Sequence, residues 1–220
     1  MQIAIDGPAS SGKSTISKKI ANMRGLLYLD TGAMYRVVTL AALQHKIDPS
    51  DEESVKQLLS QIKIHFETSD NGQLVFLNGE NVTDTIRGNQ VTNNVSAIAA
   101  QKLVREEMVK RQRDIAANHS IIMDGRDIGT VVLPDADLKV FLIATAEERA
   151  NRRFKENQLR GIETDYRQLL EEIKHRDYLD STRKESPLKK ADDAIELDST
   201  PLTIDQVVDT IVKWIDESNN

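Results

Sequence analysis

Cysteine is absent from the 220 residues of this chain, and aromatic residues make up only 4% of it. A chain without cysteine has no disulfide framework and no thiolate metal site, which fits a reducing compartment. No stretch of about 18 apolar residues occurs, and the first residues are not a basic stretch followed by an apolar one. We therefore expect a cytoplasmic protein with no membrane span and no signal peptide.

A surplus of basic residues is also absent, since the formal net charge is −6 at pH 7. This balance argues against a nucleic-acid coat that relies on a basic surface. A small anionic ligand stays possible, because clustered arginines can form a positive cleft on an acidic protein. The four histidines (His45, His65, His119 and His175) are scattered without the spacing of zinc ligands.

Short apolar segments alternate with longer amphipathic stretches, a pattern typical of βα units around a parallel sheet. The length and the 39% hydrophobic content suit a single unit, residues 1–220, with room for a small insertion. We predict an α/β fold in which helices flank a five-stranded parallel sheet. The predicted strands are residues 3–6, 26–29, 121–124, 140–143 and 194–197, and the predicted helices are residues 14–24, 34–44, 89–118, 147–157, 165–180 and 204–217.

One interval departs from this alternation of strands and helices. Its apolar and polar residues alternate with a period of two, which indicates a β-hairpin. Residues 62–67 and 74–77 are its predicted strands, and Asp70, Asn71 and Gly72 are its predicted turn. Because an isolated hairpin is marginally stable in water, we expect this one to pack against its neighbours. The interval is interpreted as an inserted subdomain.

A glycine-rich segment follows the first predicted strand and fits the pattern G-x-x-x-x-G-K-[ST]. It opens a helix, so several backbone N–H groups and the positive end of the helix dipole favour a phosphate at one place. Lys13 is placed to reach the β- and γ-phosphates of a nucleotide, and the Ser14 hydroxyl to ligate Mg²⁺. A glycine-rich helix start that binds nothing is the alternative, and the flanking strand and helix argue against it. The residues expected to bind the nucleotide are Gly7, Pro8, Ala9, Ser10, Ser11, Gly12, Lys13, Ser14 and Thr15.

Arginine is concentrated between residues 149 and 183, where seven of the fourteen arginines lie. Arg149, Arg152 and Arg153 share one helix face without matched acids on it, and such a cluster suits a polyphosphate. Because phosphoryl transfer needs positive charge around the moving group and exclusion of water, we favour an arginine-lined lid that also includes Arg160. The alternative is a solvated helix surface whose arginines pair with nearby acids, Glu147, Glu148 and Glu156.

Three further segments match a known family in order and spacing: Asp30-Thr31-Gly32-Ala33-Met34-Tyr35-Arg36, then Asp124-Gly125-Arg126-Asp127-Ile128-Gly129-Thr130-Val131, and later Arg176-Asp177 through Asp180 and Arg183. They resemble the bacterial cytidylate kinases of the nucleoside monophosphate kinase superfamily. The similarity covers essentially the whole chain, and the G-R-D-I-G-T-V segment is far more specific than the glycine-rich loop. It implies a P-loop kinase fold with a core of residues 1–60 and 119–220, an inserted monophosphate-binding subdomain at about 61–100 and a helical lid at about 150–165.

The resemblance implies transfer of the γ-phosphoryl group of ATP to CMP or dCMP by a monomer that uses Mg²⁺. In that family the residues matching Arg36 and Arg126 hold the acceptor's phosphate. The second pKa of a phosphomonoester is about 6, so the attacking oxygen is already ionised near neutral pH and no general base is needed. Lys13, Arg149 and Arg153 complete the expected catalytic cations.

The resemblance also implies a binding set for CMP. Cytosine presents an amino donor beside acceptors, so its reader combines an acceptor with donors, as Asp127, Arg105 and Ser96 do together. The alternatives are a Ser96 that faces the helix interior, an Arg105 that pairs with Glu106 or Glu107, and an Asp180 that caps or pairs locally. The full set is Thr31, Tyr35, Arg36, Ser96, Arg105, Arg126, Asp127, Arg176, Asp180 and Arg183.

Two aspartates stand at the ends of predicted strands. Asp124 is expected to orient waters on Mg²⁺, as matching aspartates do elsewhere in the superfamily. Asp6 is expected to be structural and to bind loop backbone.

Two other interpretations of the function stay open. One is a phosphate-loop kinase for another small acceptor, such as UMP or a sugar acid. The other is a nucleotide-gated regulatory protein that holds ATP without turnover. Against the regulatory protein, the motifs include residues for an acceptor as well as for a donor, and the sequence contains no obvious partner module.

Overall fold

The computed structural model describes residues 1–69, 72–159 and 161–218. Contacts between Cα atoms divide the chain into unit one, Met1–Leu29 with His119–Asn220, and unit two, Asp30–Asn118. Unit two begins before, and ends after, the insertion expected at about 61–100. The strands are β1 (Gln2–Asp6), β2 (Leu27–Asp30), β3 (Ile64–Ser69), β4 (Gly72–Leu77), β5 (Glu80–Asn81), β6 (Ile121–Gly125), β7 (Leu138–Ile143) and β8 (Ile195–Asp198). The helices are α1 (Lys13–Arg24), α2 (Thr31–Gln44), α3 (Glu52–Gln61), α4 (Asn89–Ala99), α5 (Lys102–Ala116), α6 (Ala146–Leu159), α7 (Tyr166–Thr182) and α8 (Ile204–Ser218), with a 3₁₀ turn at Thr85–Arg87 and a π-helical turn at Ile128–Val132.

Unit one is built on a five-stranded sheet in the order β2-β6-β1-β7-β8. Strand β1 runs parallel to both of its neighbours, so that Ile3 lies opposite Ile122 of β6 and Leu138 of β7. The central strands are mostly apolar and largely buried, as a parallel sheet covered on both faces requires. The five predicted strands and the α/β fold class are therefore confirmed.

Helices α1 and α8 pack on this sheet and on each other. Ile16 and Ile20 of α1 and Ile211 and Ile215 of α8 join the buried side chains of the strands in one hydrophobic cluster. This packing fixes the start of α1 next to the carboxyl end of β1, where a phosphate loop is expected.

Unit two combines helices α2 to α5 with a small antiparallel sheet in the order β3-β4-β5. The predicted hairpin is confirmed by the pairing of β3 with β4, in which Ile64 lies opposite Leu77. Two residues of its predicted turn, Asp70 and Asn71, lie outside the described residues. Helix α2 packs against α4, and α3 packs against α5, so the core of this unit lies among its helices.

The prediction of one long helix over residues 89–118 is wrong, because the chain forms two helices there, α4 and α5. Gln101, between them, is extended, with ψ of 127°. The buried guanidinium of Arg105 donates to the carbonyl oxygen of Ala99 at 3.2 Å and so satisfies an acceptor at the end of α4. Neither glycine nor proline marks this break in the sequence.

Helix α3 is missing from the predictions, although its signals are present. Asp51 caps its first turn by accepting from the backbone N–H of Ser54, and Val55, Leu58 and Leu59 form its buried face. The other predicted helices are confirmed. In the parts of the chain that the structure describes, no helix is long and apolar enough to cross a membrane.

The core of unit one predicts the effect of truncating a central side chain. Ile122 on β6 is fully buried, so Ile122→Ala should lower the free energy of unfolding by about 2–5 kcal/mol. The matched control is Ile204→Ala at the start of α8, where the side chain is 47% exposed and the loss should stay below about 1 kcal/mol. Urea unfolding measures both losses, and equal losses would contradict this assignment of the core.

Candidate functional site

The glycine-rich segment lies between the end of β1 and the start of α1. Gly7 has φ of 151°, and a Cβ there would lie 2.1 Å from the carbonyl oxygen of Leu142 on β7. Gly12 has φ of 93° and is the residue that precedes α1, while Ser14 and Thr15 belong to its first turn. Both glycines are thus required, the first by close approach and the second by its left-handed backbone. The segment forms a loop at a helix N-terminus, where an anion is favoured.

Lys13 is buried at the start of α1, with 5% of its surface exposed. Its Nζ donates to the carbonyl oxygen of Pro8 at 2.5 Å and to Ser11 Oγ at 3.2 Å. Burial first, and then the positive charge of Arg126, lower the pKa of Lys13 to about 7, although nearby carboxylates act in the opposite direction. A bound phosphate would compensate this buried ammonium group.

Ser14 and Asp124 lie in contact and present oxygen atoms to the same place. Ser14 Oγ donates to Asp124 Oδ2 at 2.8 Å, and the hydroxyl of Tyr28 donates to Asp124 Oδ1 at 2.7 Å. Mg²⁺ prefers such oxygen ligands and is bound by one or two carboxylates together with substrate phosphates and waters. The donor set therefore fits Mg²⁺ that arrives with a nucleotide. Within the described ranges, no group of three His, Cys, Asp or Glu residues could hold a metal ion by itself.

Arg149, the first arginine of α6, contacts the phosphate loop from behind. Its side chain is buried and donates to the carbonyl oxygen of Ala9 at 3.1 Å. The same guanidinium binds both carboxylate oxygens of Asp177 on α7, at 3.0 and 2.5 Å. Arg149 is therefore fixed between the loop and α7.

The expectation that the arginines of α6 lack matched acids is wrong. Arg152 pairs with Glu148 at 2.9 Å, and Arg153 pairs with Glu156 at 3.2 Å. Spacings of four and three residues bring these acids to the same helix face, which is the alternative considered above. Arg152 also donates to the carbonyl oxygen of Ser11 in the loop, at 3.4 Å. Arg160 lies outside the described residues.

The segment after β6 carries two of the predicted acceptor residues, and both meet side chains from the end of α7 or beyond. Arg126 Nε donates to Asp180 Oδ2 at 2.9 Å, so Asp180 does not merely cap or pair locally. Burial alone would raise the pKa of Asp180, but the charges of Arg126 and then Arg176 outweigh it and hold that pKa below its usual value. Asp127 is buried 3.8 Å from the guanidinium of Arg183.

Asp6 binds the backbone of the turn that follows Arg126 and Asp127. Its carboxylate accepts from the backbone N–H groups of Ile128 at 2.8 Å and Gly129 at 2.7 Å. Burial raises the pKa of Asp6 to about 6, against the effect of these two hydrogen bonds. The expectation that Asp6 binds loop backbone is confirmed.

In unit two, three of the predicted residues lie in the first turns of α2. Thr31 and Tyr35 are buried, and Arg36 is partly buried. Arg36 donates to the carbonyl oxygen of Ile86 at 3.1 Å and to Thr92 Oγ1 at 2.9 Å. These bonds fix the guanidinium beside the start of α4.

Arg105 and Ser96 lie on the two neighbouring helices of unit two. Arg105 is 3% exposed, and its guanidinium lies 5.1 Å from the centre of the Tyr35 ring, a cation–π contact. This burial argues against the alternative in which Arg105 pairs with Glu106 or Glu107 at the surface. Ser96 is half-buried on α4, so the alternative for this residue stays open.

The structure thus places the phosphate loop, Asp124, Arg126, Asp127, Arg176, Asp180 and Arg183 in unit one, and Thr31, Tyr35, Arg36, Ser96 and Arg105 in unit two. No role was predicted from the sequence for three residues that bind the site residues of unit one. Tyr28 stands out as a polar-tipped ring in an aliphatic strand, and Asp177 as an acid among arginines. Ser199, whose carbonyl oxygen accepts from Arg152 at 2.7 Å, gave no signal.

Comparison with known proteins finds one family over nearly the whole chain. A family model described as cytidylate kinase matches residues 3–217. A cytidylate kinase of Anoxybacillus flavithermus is 55% identical over 217 residues, which are 99% of this chain and 96% of that protein. A cytidylate kinase of Bacillus cereus is 53% identical over 215 residues, which are 98% of this chain and 96% of that protein.

Two solved structures share the fold at low sequence identity. An uncharacterized protein from Eubacterium ventriosum has a TM-score of 0.54 and 15% identity, and the match covers 99% of this chain and 98% of that one. A sugar kinase from a Janibacter species has a TM-score of 0.50 and 16% identity, with 98% and 94% covered. At these identities the likeness concerns the fold alone.

The lowered pKa of Lys13 predicts a pH-dependent stability. The ordinary pKa of a lysine is 10.5, so between pH 7 and 10.5 the unfolded chain binds more protons than the folded one. Folding therefore becomes more favourable as the pH rises through this range, and Lys13→Met, which cannot titrate, lacks that gain. Urea unfolding without ligand should show the wild type gaining about 1 kcal/mol per pH unit over the variant between about pH 7.5 and 9.5. A difference that stays constant with pH would contradict the lowered pKa.

Proposed function

The chain belongs to the cytidylate kinase family, and we propose that it transfers the γ-phosphoryl group of ATP to CMP or dCMP, giving ADP and CDP or dCDP. The observation that carries this proposal is the match to that family over residues 3–217, together with 53–55% identity to curated cytidylate kinases. The phosphate loop and the arginines after β6 and in α2 supply residue types that the reaction needs.

ATP is proposed to bind at the phosphate loop, through Gly7, Pro8, Ala9, Ser10, Ser11, Gly12, Lys13, Ser14 and Thr15. The support is the position of this loop at the start of α1, where backbone N–H groups and the helix dipole favour phosphate. Lys13 is proposed to bind the γ-phosphoryl group as it moves. The present hydrogen bonds of Lys13 go to neutral oxygens of Pro8 and Ser11, which phosphate oxygens can replace.

CMP is proposed to bind through the residues that match the family's acceptor site. Arg36 and Arg126 hold its phosphate, since a planar guanidinium matches two phosphate oxygens at once. Asp127 accepts from the cytosine amino group, and Arg105 and Ser96 complete the reading of the base. The residues proposed around the ribose and phosphate are Tyr35, Arg176 and Asp180, and Thr31 and Arg183 complete the proposed CMP-binding set.

The transfer itself needs positioning and charge more than proton chemistry. An oxygen of the acceptor's phosphate attacks the γ-phosphorus, and the bond from that phosphorus to the β–γ bridging oxygen breaks, so that ADP leaves with the electron pair. Lys13, Arg36, Arg126 and Arg153 are proposed to stabilise the charge of the moving group, and Arg149 is proposed to contribute its charge from its fixed place between the phosphate loop and α7. Mg²⁺, held by Ser14 and through water by Asp124, would neutralise charge on the phosphates of ATP.

Several features of this proposal stay predictions. They are a lid at about 150–165, an inserted subdomain at about 61–100, a monomeric state and a cytoplasmic location. Nucleic acid is not among the expected partners, since the net charge of −6 does not suit it.

The proposal predicts ADP release that depends on a cytidine acceptor. Purified protein with Mg²⁺ and ATP should release ADP many times faster when CMP or dCMP is added than without it. In a panel at equal concentrations, UMP, AMP, GMP and a sugar acid should give lower rates than CMP. No increase with CMP would contradict the proposal, and a faster rate with another acceptor would reassign the substrate.

The assignment of Asp127 predicts a selective loss for CMP. Asp127→Ala should raise the KM for CMP about tenfold or more, because a buried hydrogen bond to a charged group is lost, and leave the KM for ATP within about twofold. Asp192→Ala, an exposed aspartate of unit one, is the control and should change neither value. Equal losses for both substrates would mean that Asp127 supports the fold rather than the base.

A further inference from the structure

The guanidinium of Arg149 makes four hydrogen bonds and is almost completely buried, with 4% of the residue exposed. Its Nε donates to the carbonyl oxygen of Ala144 at 2.9 Å. One terminal nitrogen donates to the Ala9 carbonyl oxygen at 3.1 Å and to Asp177 Oδ1 at 3.0 Å, and the other donates to Asp177 Oδ2 at 2.5 Å. Two parallel bonds to one carboxylate fix the plane of a guanidinium. The orientation of Arg149 toward Ala9 therefore depends on Asp177.

The bond to Ala9 also sets the direction of a donor in the phosphate loop. A peptide group is planar and trans, so the carbonyl of Ala9 and the N–H of Ser10 point in opposite directions. By holding the carbonyl on its own side, Arg149 directs the Ser10 N–H away from itself. Ser10 has φ of 60°, a left-handed value that costs energy in a residue other than glycine, so this turn needs support from its surroundings.

Asp177 reaches the loop from a helix that also holds a proposed acceptor residue. On α7 it precedes Asp180 by three residues, and Asp180 binds Arg126 at 2.9 Å. Two carboxylates of one helix face thus hold the arginine behind the phosphate loop and the arginine after β6.

We propose that Asp177 is a positioning residue for the phosphoryl donor, which acts by fixing Arg149 and, through it, the Ala9–Ser10 peptide of the phosphate loop. The inference rests on the proposed function only in taking ATP as the donor. Asp177 is assigned no contact with a substrate. Removing the Asp177 carboxylate should weaken the binding of ATP and leave the binding of CMP unchanged.

The test measures ATP and CMP dissociation constants separately, by calorimetric titration of the full chain. Asp177→Asn removes the charge and one acceptor while keeping the shape of the side chain. It should raise the Kd for ATP about tenfold and leave the Kd for CMP within about twofold. The matched control is Asp216→Asn, which breaks an Arg–Asp pair between α1 and α8 of the same unit, Arg24 with Asp216 at 2.7 Å, and should change neither constant.

A double-mutant cycle separates positioning from a general loss of structure. Arg149→Met alone should raise the Kd for ATP at least as much as Asp177→Asn does. The double variant should bind ATP no more weakly than Arg149→Met, because Asp177 acts through Arg149. Asp177→Glu, which keeps the charge, should retain more ATP affinity than Asp177→Asn. Additive losses in the double variant, equal losses for ATP and CMP, or equal losses for the Asn and Glu variants would overturn the proposal.

This experiment is independent of the identity of the acceptor. If the wild type binds ATP but does not phosphorylate CMP, the proposed function fails and the ATP titrations still decide the role of Asp177. If CMP is phosphorylated and Asp177→Asn binds ATP like the wild type, only the role of Asp177 fails.

Discussion

The buried ammonium group of Lys13 is the constraint on which the phosphate site depends. Its hydrogen bonds go to the carbonyl of Pro8 and the hydroxyl of Ser11, both neutral, and burial lowers its pKa to about 7. The carboxylates of Asp124 and Asp6 offset only part of the cost of burying this charge, and a polyphosphate would supply further negative charge. The ligand-free chain thus gives up stability at Lys13 in return for affinity toward an anion, as functional sites commonly do.

The rest of the loop is arranged so that the backbone keeps its shape around this residue. Gly7 lies against the carbonyl of Leu142, where no larger residue fits, and arginines of α6 hold the carbonyls of Ala9 and Ser11. Loop carbonyls held from outside leave the following N–H groups directed the other way, toward a ligand. The arginines that the sequence suggested for a lid therefore also serve as supports of the loop.

The sequence predicted those features that depend on local pattern. The five strands were predictable because each is a short apolar segment, and the phosphate loop because Gly7, Gly12 and Lys13 stand at a spacing that specifies a backbone shape. The break between α4 and α5 at Gln101 was not predictable, because no glycine or proline marks it. It is stabilised by Arg105, which donates back to the carbonyl oxygen of Ala99. Charge pairs between distant residues were also beyond prediction, because an acid such as Asp177, 28 residues from Arg149, has no spacing that identifies its partner.

In the proposed reaction the γ-phosphoryl group moves from ATP to a cytidine monophosphate and not to water. The direct measurement is to incubate the protein with Mg²⁺, CMP and ATP labelled in its γ-phosphate, to separate the products and to determine which of them carry the label. Labelled CDP should form in an amount equal to the ADP, with label in inorganic phosphate no higher than without protein. Label in inorganic phosphate, or ADP without labelled CDP, would contradict the proposed transfer.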